Sequence, residues 1–337
     1  MVFYNTMTRY LSVFCLCLAA LCATRPGGAA TRADLYQAAA PVADRSEAAQ
    51  TAAFQAAMKT VLVRVTGRHS AEEDPALAPL VAVARRYVQQ YRPAPDNQLW
   101  VAFDGAAIER WLTQNGQPVW GRERPTTFVW LAVQTGAQSG SIITADDVSE
   151  LKSTVDAAAA LRGVPLQWPS SADVQRNHLD FATVNPAAPA AAAEMGHRLG
   201  GEGVLVGRAG NNTAGASVRW TLLFQDRSSE FSGLVEGINR TADLYAGLFA
   251  ASGTLAPIDI EVTGIADLRQ YANVQAYLES LTFISHVNVL RLSADTVRFR
   301  LATRGGAQSL QRALSLNGRL QPIAVGENGI QRFQLRR

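Results

Sequence analysis

The side chains that most often carry chemistry are sparse and scattered in this chain. Its four histidines, His69, His178, His197 and His286, lie far apart, and no two stand at i, i+4 spacing. A zinc site built on one helix needs two imidazoles on one face, as in His-Glu-x-x-His, and that pattern does not occur. The histidines therefore read as surface or locally satisfied groups, and no metal or cofactor is expected. A serine nucleophile on a strand-to-helix elbow would need Gly-x-Ser-x-Gly, which is also missing. Asp104 and Glu109 follow a predicted strand end, where hydrolases place acids. Asp104 nevertheless suits a helix cap, and Glu109 falls on the polar face of that helix. Gly196, Gly200, Gly201, Gly203 and Gly207 precede a strand instead of following one, so they do not read as a phosphate loop. No residue is assigned a catalytic role.

The stretch richest in recognition chemistry is Val119–Val133, Val-Trp-Gly-Arg-Glu-Arg-Pro-Thr-Thr-Phe-Val-Trp-Leu-Ala-Val, which holds two of the six tryptophans. Trp120, Arg122, Arg124 and Trp130 could form a cation–aromatic surface for a glycan or a protein partner. The opposing expectation is a seam between two domains, with the rings in the core and Arg122-Glu123-Arg124 as a solvated turn.

Those residues need elements to hold them, and 337 residues are more than one ordinary core, so two or three domains are expected. Residues 1–30 read as a signal peptide: Arg9, then the apolar run Leu11–Ala23, then the small residues Gly28-Ala29-Ala30. A thirteen-residue helix rises only about 20 Å, short of the roughly 30 Å hydrocarbon layer, so cleavage is preferred over a membrane anchor. A lipidated Cys22 is the other alternative, disfavoured by the bulky Leu21. Cys15, Cys17 and Cys22 are all the cysteines, so the mature chain should have no disulfide and no thiolate site. Cleavage also removes Arg9 and Arg25 from 31 basic residues, leaving 29 against 28 acids. A net charge of +1 gives generic nucleic-acid binding no electrostatic support. The product should be periplasmic, with no membrane-spanning segment.

The expected fold is α/β and α+β in three small domains. Residues 31–121 form the first. A strand lies within Asp34–Ala43; Ser46 caps a helix carrying Phe54, Met58, Val61, Leu62 and Val65 up to Gly67. Pro75 starts a second helix reaching Tyr91, Leu99–Phe103 is a strand, and Asp104 caps a helix ended by Asn115-Gly116. Residues 122–254 form the second. Its parts are a strand Thr127–Val133, a helix capped by Thr144 and stopped at Gly163, a strand Val164–Trp168, and a helix near Met195. A buried strand Gly203–Gly207, two antiparallel strands about a turn at Asp226–Ser229 and a closing helix Thr241–Ala251 complete it. Residues 255–337 read as β-α-β-β-α-β, a ferredoxin-like order, with an added edge hairpin after Gly326.

The stretches Leu35-Tyr36 with Pro41-Val42, Val61-Leu-Val-Arg-Val-Thr-Gly67, Trp100-Val-Ala-Phe-Asp104, Val119–Pro125 and Trp130–Val133 together resemble domain-of-unknown-function family 2066, exported bacterial envelope proteins. That resemblance implies a Gram-negative envelope protein with no established activity. The middle domain also resembles, in its order of elements, the small α/β domains of envelope-assembly proteins, such as the amino-terminal domain of the Tol-system propeller protein. The expected function is non-enzymatic binding of protein partners in cell-envelope assembly or maintenance. The alternatives are an envelope glycan or peptide hydrolase using carboxylates, and a carrier of a small apolar ligand.

Overall fold

Ser46 opens the first long helix as expected, its Oγ accepting the Ala49 N–H at 3.1 Å. The helix, α1 (Glu47–Thr66), ends where Gly67 turns left-handed at φ 72°. In the computed structural model, which describes residues 35–135, 139–211, 215–325 and 330–336, α1 packs against a three-stranded antiparallel sheet. The sheet order is β1 (Gln37–Pro41), β3 (Gln98–Phe103), β2 (Val88–Ala94), with β1 and β2 as edges. The signal-peptide expectation lies outside the described residues. Among those described, no helix is long and apolar enough to cross a membrane.

The second helix expected from Pro75 to Tyr91 is corrected. Only Ala78–Ala82 is α-helical (α2), a 3-10 turn covers Ala84–Tyr87, and Val88 begins β2. The β-branched and aromatic residues Val88 and Tyr91 fit a pleated strand, and Pro93, which cannot donate, is accommodated on an edge. Asp104 then caps α3 (Gly105–Gln114), accepting the Ala107 N–H at 3.0 Å.

The second sheet runs β5 (Gly140–Ile142), β4 (Thr127–Gln134), β7 (Gly203–Ala209), β8 (Val218–Phe224), β9 (Arg227–Ser232), with β6 (Leu166–Gln167) beside β4. The pairs β4–β7 and β4–β6 are parallel, so β4, α4 (Glu150–Arg162) and β6 make the expected βαβ-like unit. Helix α4 is capped by Ser149, not Thr144: Ser149 Oγ accepts the Lys152 N–H at 3.3 Å. A short helix, α5 (Ser171–Arg176), follows β6. One face of the sheet is covered by α4 and α7 (Leu234–Phe249), the other by α6 (Ala190–Arg198). This double cover explains why β4 is apolar without alternation, as central parallel strands are. Helix α7 starts seven residues before the expected Thr241, after Gly233 at φ 96°.

The third sheet has the order β11 (Ile284–Ser293), β12 (Thr296–Thr303), β10 (Ala256–Thr263), β14 (Gln331–Leu335), β13 (Leu320–Val325). Helices α8 (Leu268–Ser280) and α9 (Gly306–Ser315) complete the β-α-β-β-α-β order through β13. The added hairpin does not hang on the outside. Its second strand, β14, sits parallel to β10, and β13 is displaced to the edge. Pro322 in β13 lacks a donor and suits an edge, whereas Phe333 of β14 is fully buried in the core.

Candidate functional site

The seam between the first two sheets is built from two helix ends. α1 and α4 both stop at left-handed glycines, Gly67 at φ 72° and Gly163 at φ 66°. Each leaves unpaired carbonyls and the negative end of its dipole there. Arg124 lies between these ends. Its guanidinium donates to the carbonyls of Arg64, Gly163, Trp120 and Gly121, each at 2.8 Å, and to that of Arg162 at 3.3 Å. It also stacks 3.9 Å over the Trp120 ring. Burial pushes it down to about 9, so it remains a cation at neutral pH. Arg162, fully buried, extends the same seam by donating to the Gly67 carbonyl at 2.9 Å and pairing with Asp243 of α7.

This geometry places the four candidate interaction residues. Trp120 and Trp130 are both fully buried and lie in different clusters, on opposite faces of the second sheet. Arg124 is buried against Trp120 as the clamp of two helix ends, so it is not a solvated turn residue. Only Arg122 is exposed, and its Nη2 donates to the Ser280 carbonyl at 2.9 Å. The four therefore form no joint surface, because the seam takes Trp120 and Arg124 for its own core and the cluster under α6 takes Trp130. A cation–aromatic pair does reach solvent elsewhere: Arg92 of β2 lies 4.7 Å over the half-buried Trp100 of β3.

Trp100 also walls a cleft of about 370 Å³ beside the seam, between the open face of the first sheet and α4. Gln37 and Ala39 of β1, Ala159 and Ala160 of α4, and Val164 line it. The edge of β1 faces this cleft. Phe103 N–H donates to the Tyr36 carbonyl at 2.9 Å, and Val42 N–H to the Asn97 carbonyl at 2.9 Å. Bonded and non-bonded pairs alternate along an antiparallel ladder, so positions 36, 38, 40 and 42 turn their polar groups toward β3, and positions 37 and 39 turn theirs outward. Arg64 Nη1, which donates to the Gln37 carbonyl at 2.8 Å, marks that outer side. The N–H and C=O of Ala39 thus point to the open edge, with an aromatic ring and small apolar side chains around them.

Among the described residues, no group of three or more His, Cys, Asp or Glu is placed to hold a metal ion. Asp104 is occupied as a cap, and Glu109 accepts a hydrogen bond from the Tyr36 hydroxyl. Sequence reasoning missed a Ser-x-x-Lys spacing at Ser149–Lys152. There Ser149 caps α4, and Lys152 Nζ pairs with Asp156 at 2.8 Å and lies 5.4 Å from the Trp168 ring centre. It also missed Arg162 and the β1 edge; the signal for Arg162 was its position immediately before a helix-ending glycine, where a cation faces the dipole.

Residues 29–121 match the model of a domain of unknown function, DUF8605. This overturns the resemblance to family 2066, which is a different family. Two of the stretches behind that resemblance are a helix stopped by Gly67 and a strand followed by a capping Asp104, local signals that end and start helices in any family. No curated protein and no solved structure matches the chain. The likeness of the middle unit to envelope-assembly domains therefore rests on its order of elements.

Proposed function

We propose that the protein is an exported, non-enzymatic binder of partners in cell-envelope assembly or maintenance. The observation that carries this reading is the open edge of β1, whose Ala39 presents an N–H and a C=O to a cleft walled by Trp100 and the small residues of α4. Such an edge suits an extended segment of a partner that adds a strand, with main-chain hydrogen bonds giving affinity and the cleft selecting side chains. Arg92 over Trp100 favours an acidic residue in that segment. The export part of the proposal rests on the amino-terminal sequence alone. The test is a photo-crosslinking residue at position 39 in living cells, compared with one at the 98% exposed Val148. One dominant envelope protein captured at 39 and not at 148 supports the proposal. Gln37→Pro, which removes the other outward N–H of this edge strand and leaves the crosslinking residue in place, should weaken that capture while costing no more than about 1 kcal/mol of stability. Equal labelling at both positions, or capture unchanged by the proline, would sink it.

A further inference from the structure

A second cleft, of about 350 Å³, opens where α3 of the first unit meets the third unit at Thr282–Phe283 and Arg304. Its walls carry three charged side chains. Arg110 comes from α3 and Arg304 from the bend just after β12; among the described residues neither guanidinium donates to a protein acceptor. Glu109 is the third, with one carboxylate oxygen taken by the Tyr36 hydroxyl and the other unoccupied by the described protein. Thr282 Oγ1 accepts the Arg122 N–H at 3.4 Å, which leaves its own proton to donate. A second carboxyl, Glu123, lies behind the cleft, accepting the Thr282 N–H at 3.4 Å; it is raised above the ordinary range by burial and, to a lesser degree, by the charge of Glu109. A β-carbon on Gly121 would collide with Thr282, so linker and third unit already meet here without space to close.

Two unpaired guanidiniums from different units, lining one concave volume, suit oxyanion capture. The volume is at the small end of ligand sites and suits a molecule of sugar size. Glu109 decides the class further, because a bare anion gains nothing from a carboxylate, whereas a ligand hydroxyl can donate to it. We propose that this cleft binds a small hydroxylated acid, of the class of acidic sugars and sugar phosphates. Its oxyanion sits on Arg110 and Arg304, and a hydroxyl donates to the outer oxygen of Glu109. This site is independent of the β1 edge.

Calorimetric titration of the chain from Thr31 onward, at low salt, tests it with glucuronate, glucose 6-phosphate, inorganic phosphate and glucose. Both sugar acids should bind and glucose should not. Arg110→Ala and Arg304→Ala should each weaken binding about tenfold or more, and Arg304→Lys should weaken it as well, since an ammonium cannot fork two bonds. Arg92→Ala, over Trp100 on the first sheet, should leave it unchanged. Glu109→Gln should weaken the sugar acids and spare inorganic phosphate. Failure of both sugar acids to bind, or wild-type affinity in the arginine variants, would overturn the proposal. If inorganic phosphate binds as tightly as glucose 6-phosphate and Glu109→Gln changes nothing, the cleft is a plain anion trap and the hydroxylated class is wrong.

Discussion

At the scale of single residues, Arg124 determines how the first two units meet. Its five donors answer carbonyls from two helix ends and the linker, so removing it leaves several buried acceptors unpaired. Arg124→Leu should cost roughly 3–5 kcal/mol in urea unfolding, the range for breaking a buried charged network. Arg124→Lys should recover little of this, because three donors on a flexible stem cannot reach five acceptors in a plane. Arg122→Ala, two residues away and exposed, should change stability by no more than about 0.5 kcal/mol. Gly67 is a second such position. Its φ of 72° is strained for other residues, and a β-carbon there would strike Ala246 and come within 2.9 Å of Trp120. Neither role shows in sequence as more than a basic residue in a turn and a glycine after a helix.

At the scale of elements, the solvent face of the third sheet is laced by charge. Arg300 of β12 forks onto Asp259 of β10 at 2.8 and 2.9 Å, while Arg298 of β12 and Arg332 of β14 share Glu261. Hydrogen bonds from Arg300 and Arg298 hold the Asp259 and Glu261 carboxyls below their ordinary ranges. The unfolded chain therefore takes up these protons at higher pH than the folded one. Their stabilisation is complete above about pH 5 and is lost as pH falls through the folded-state values. With the arginines partly solvated, the total is roughly 1 kcal/mol. Glu261→Gln should flatten the fall in melting temperature between about pH 5 and pH 3, followed by circular dichroism. An unchanged pH profile would mean that the ladder contributes nothing. The pairing of β10 with both β12 and β14 creates this ladder, and the separation in sequence, Glu261 to Arg332, hides it from any local reading.

At the scale of the whole molecule, the three sheets share their joints. Val119 and Ala251 exchange both backbone hydrogen bonds at 3.0 Å, tying the linker before β4 to the linker before β10. Trp120, from the first linker, fills the core of the second unit, and so does Leu316 from the third. Unfolding should accordingly be one cooperative transition by fluorescence and circular dichroism, and Trp120→Ala should lower stability by about 3–5 kcal/mol across the whole molecule. Loss of only one unit's signal in that variant would show that the joints are not coupled. The chain from Thr31 onward has no cysteine, so dithiothreitol should leave its melting temperature unchanged.

The sequence by itself determined the local vocabulary. Ser46 and Asp104 cap helices because their side-chain oxygens reach backbone donors three residues on, and Gly67 and Gly163 end helices because they adopt left-handed backbone. Alternating and continuous apolar runs likewise specified most strands. Tertiary structure alone decided which strands became neighbours and which polar groups were buried. The tripeptide Val-Thr-Gly shows the difference: Val65-Thr66 closes α1, while Val262-Thr263 closes β10, and each glycine has positive φ. The same three residues carry no information about helix or strand, because that choice was made by Phe54 and Met58 on one side and by pairing with β12 and β14 on the other. For the same reason Arg124, readable as a solvated turn, became the buried cation between two helices whose ends meet only in the fold.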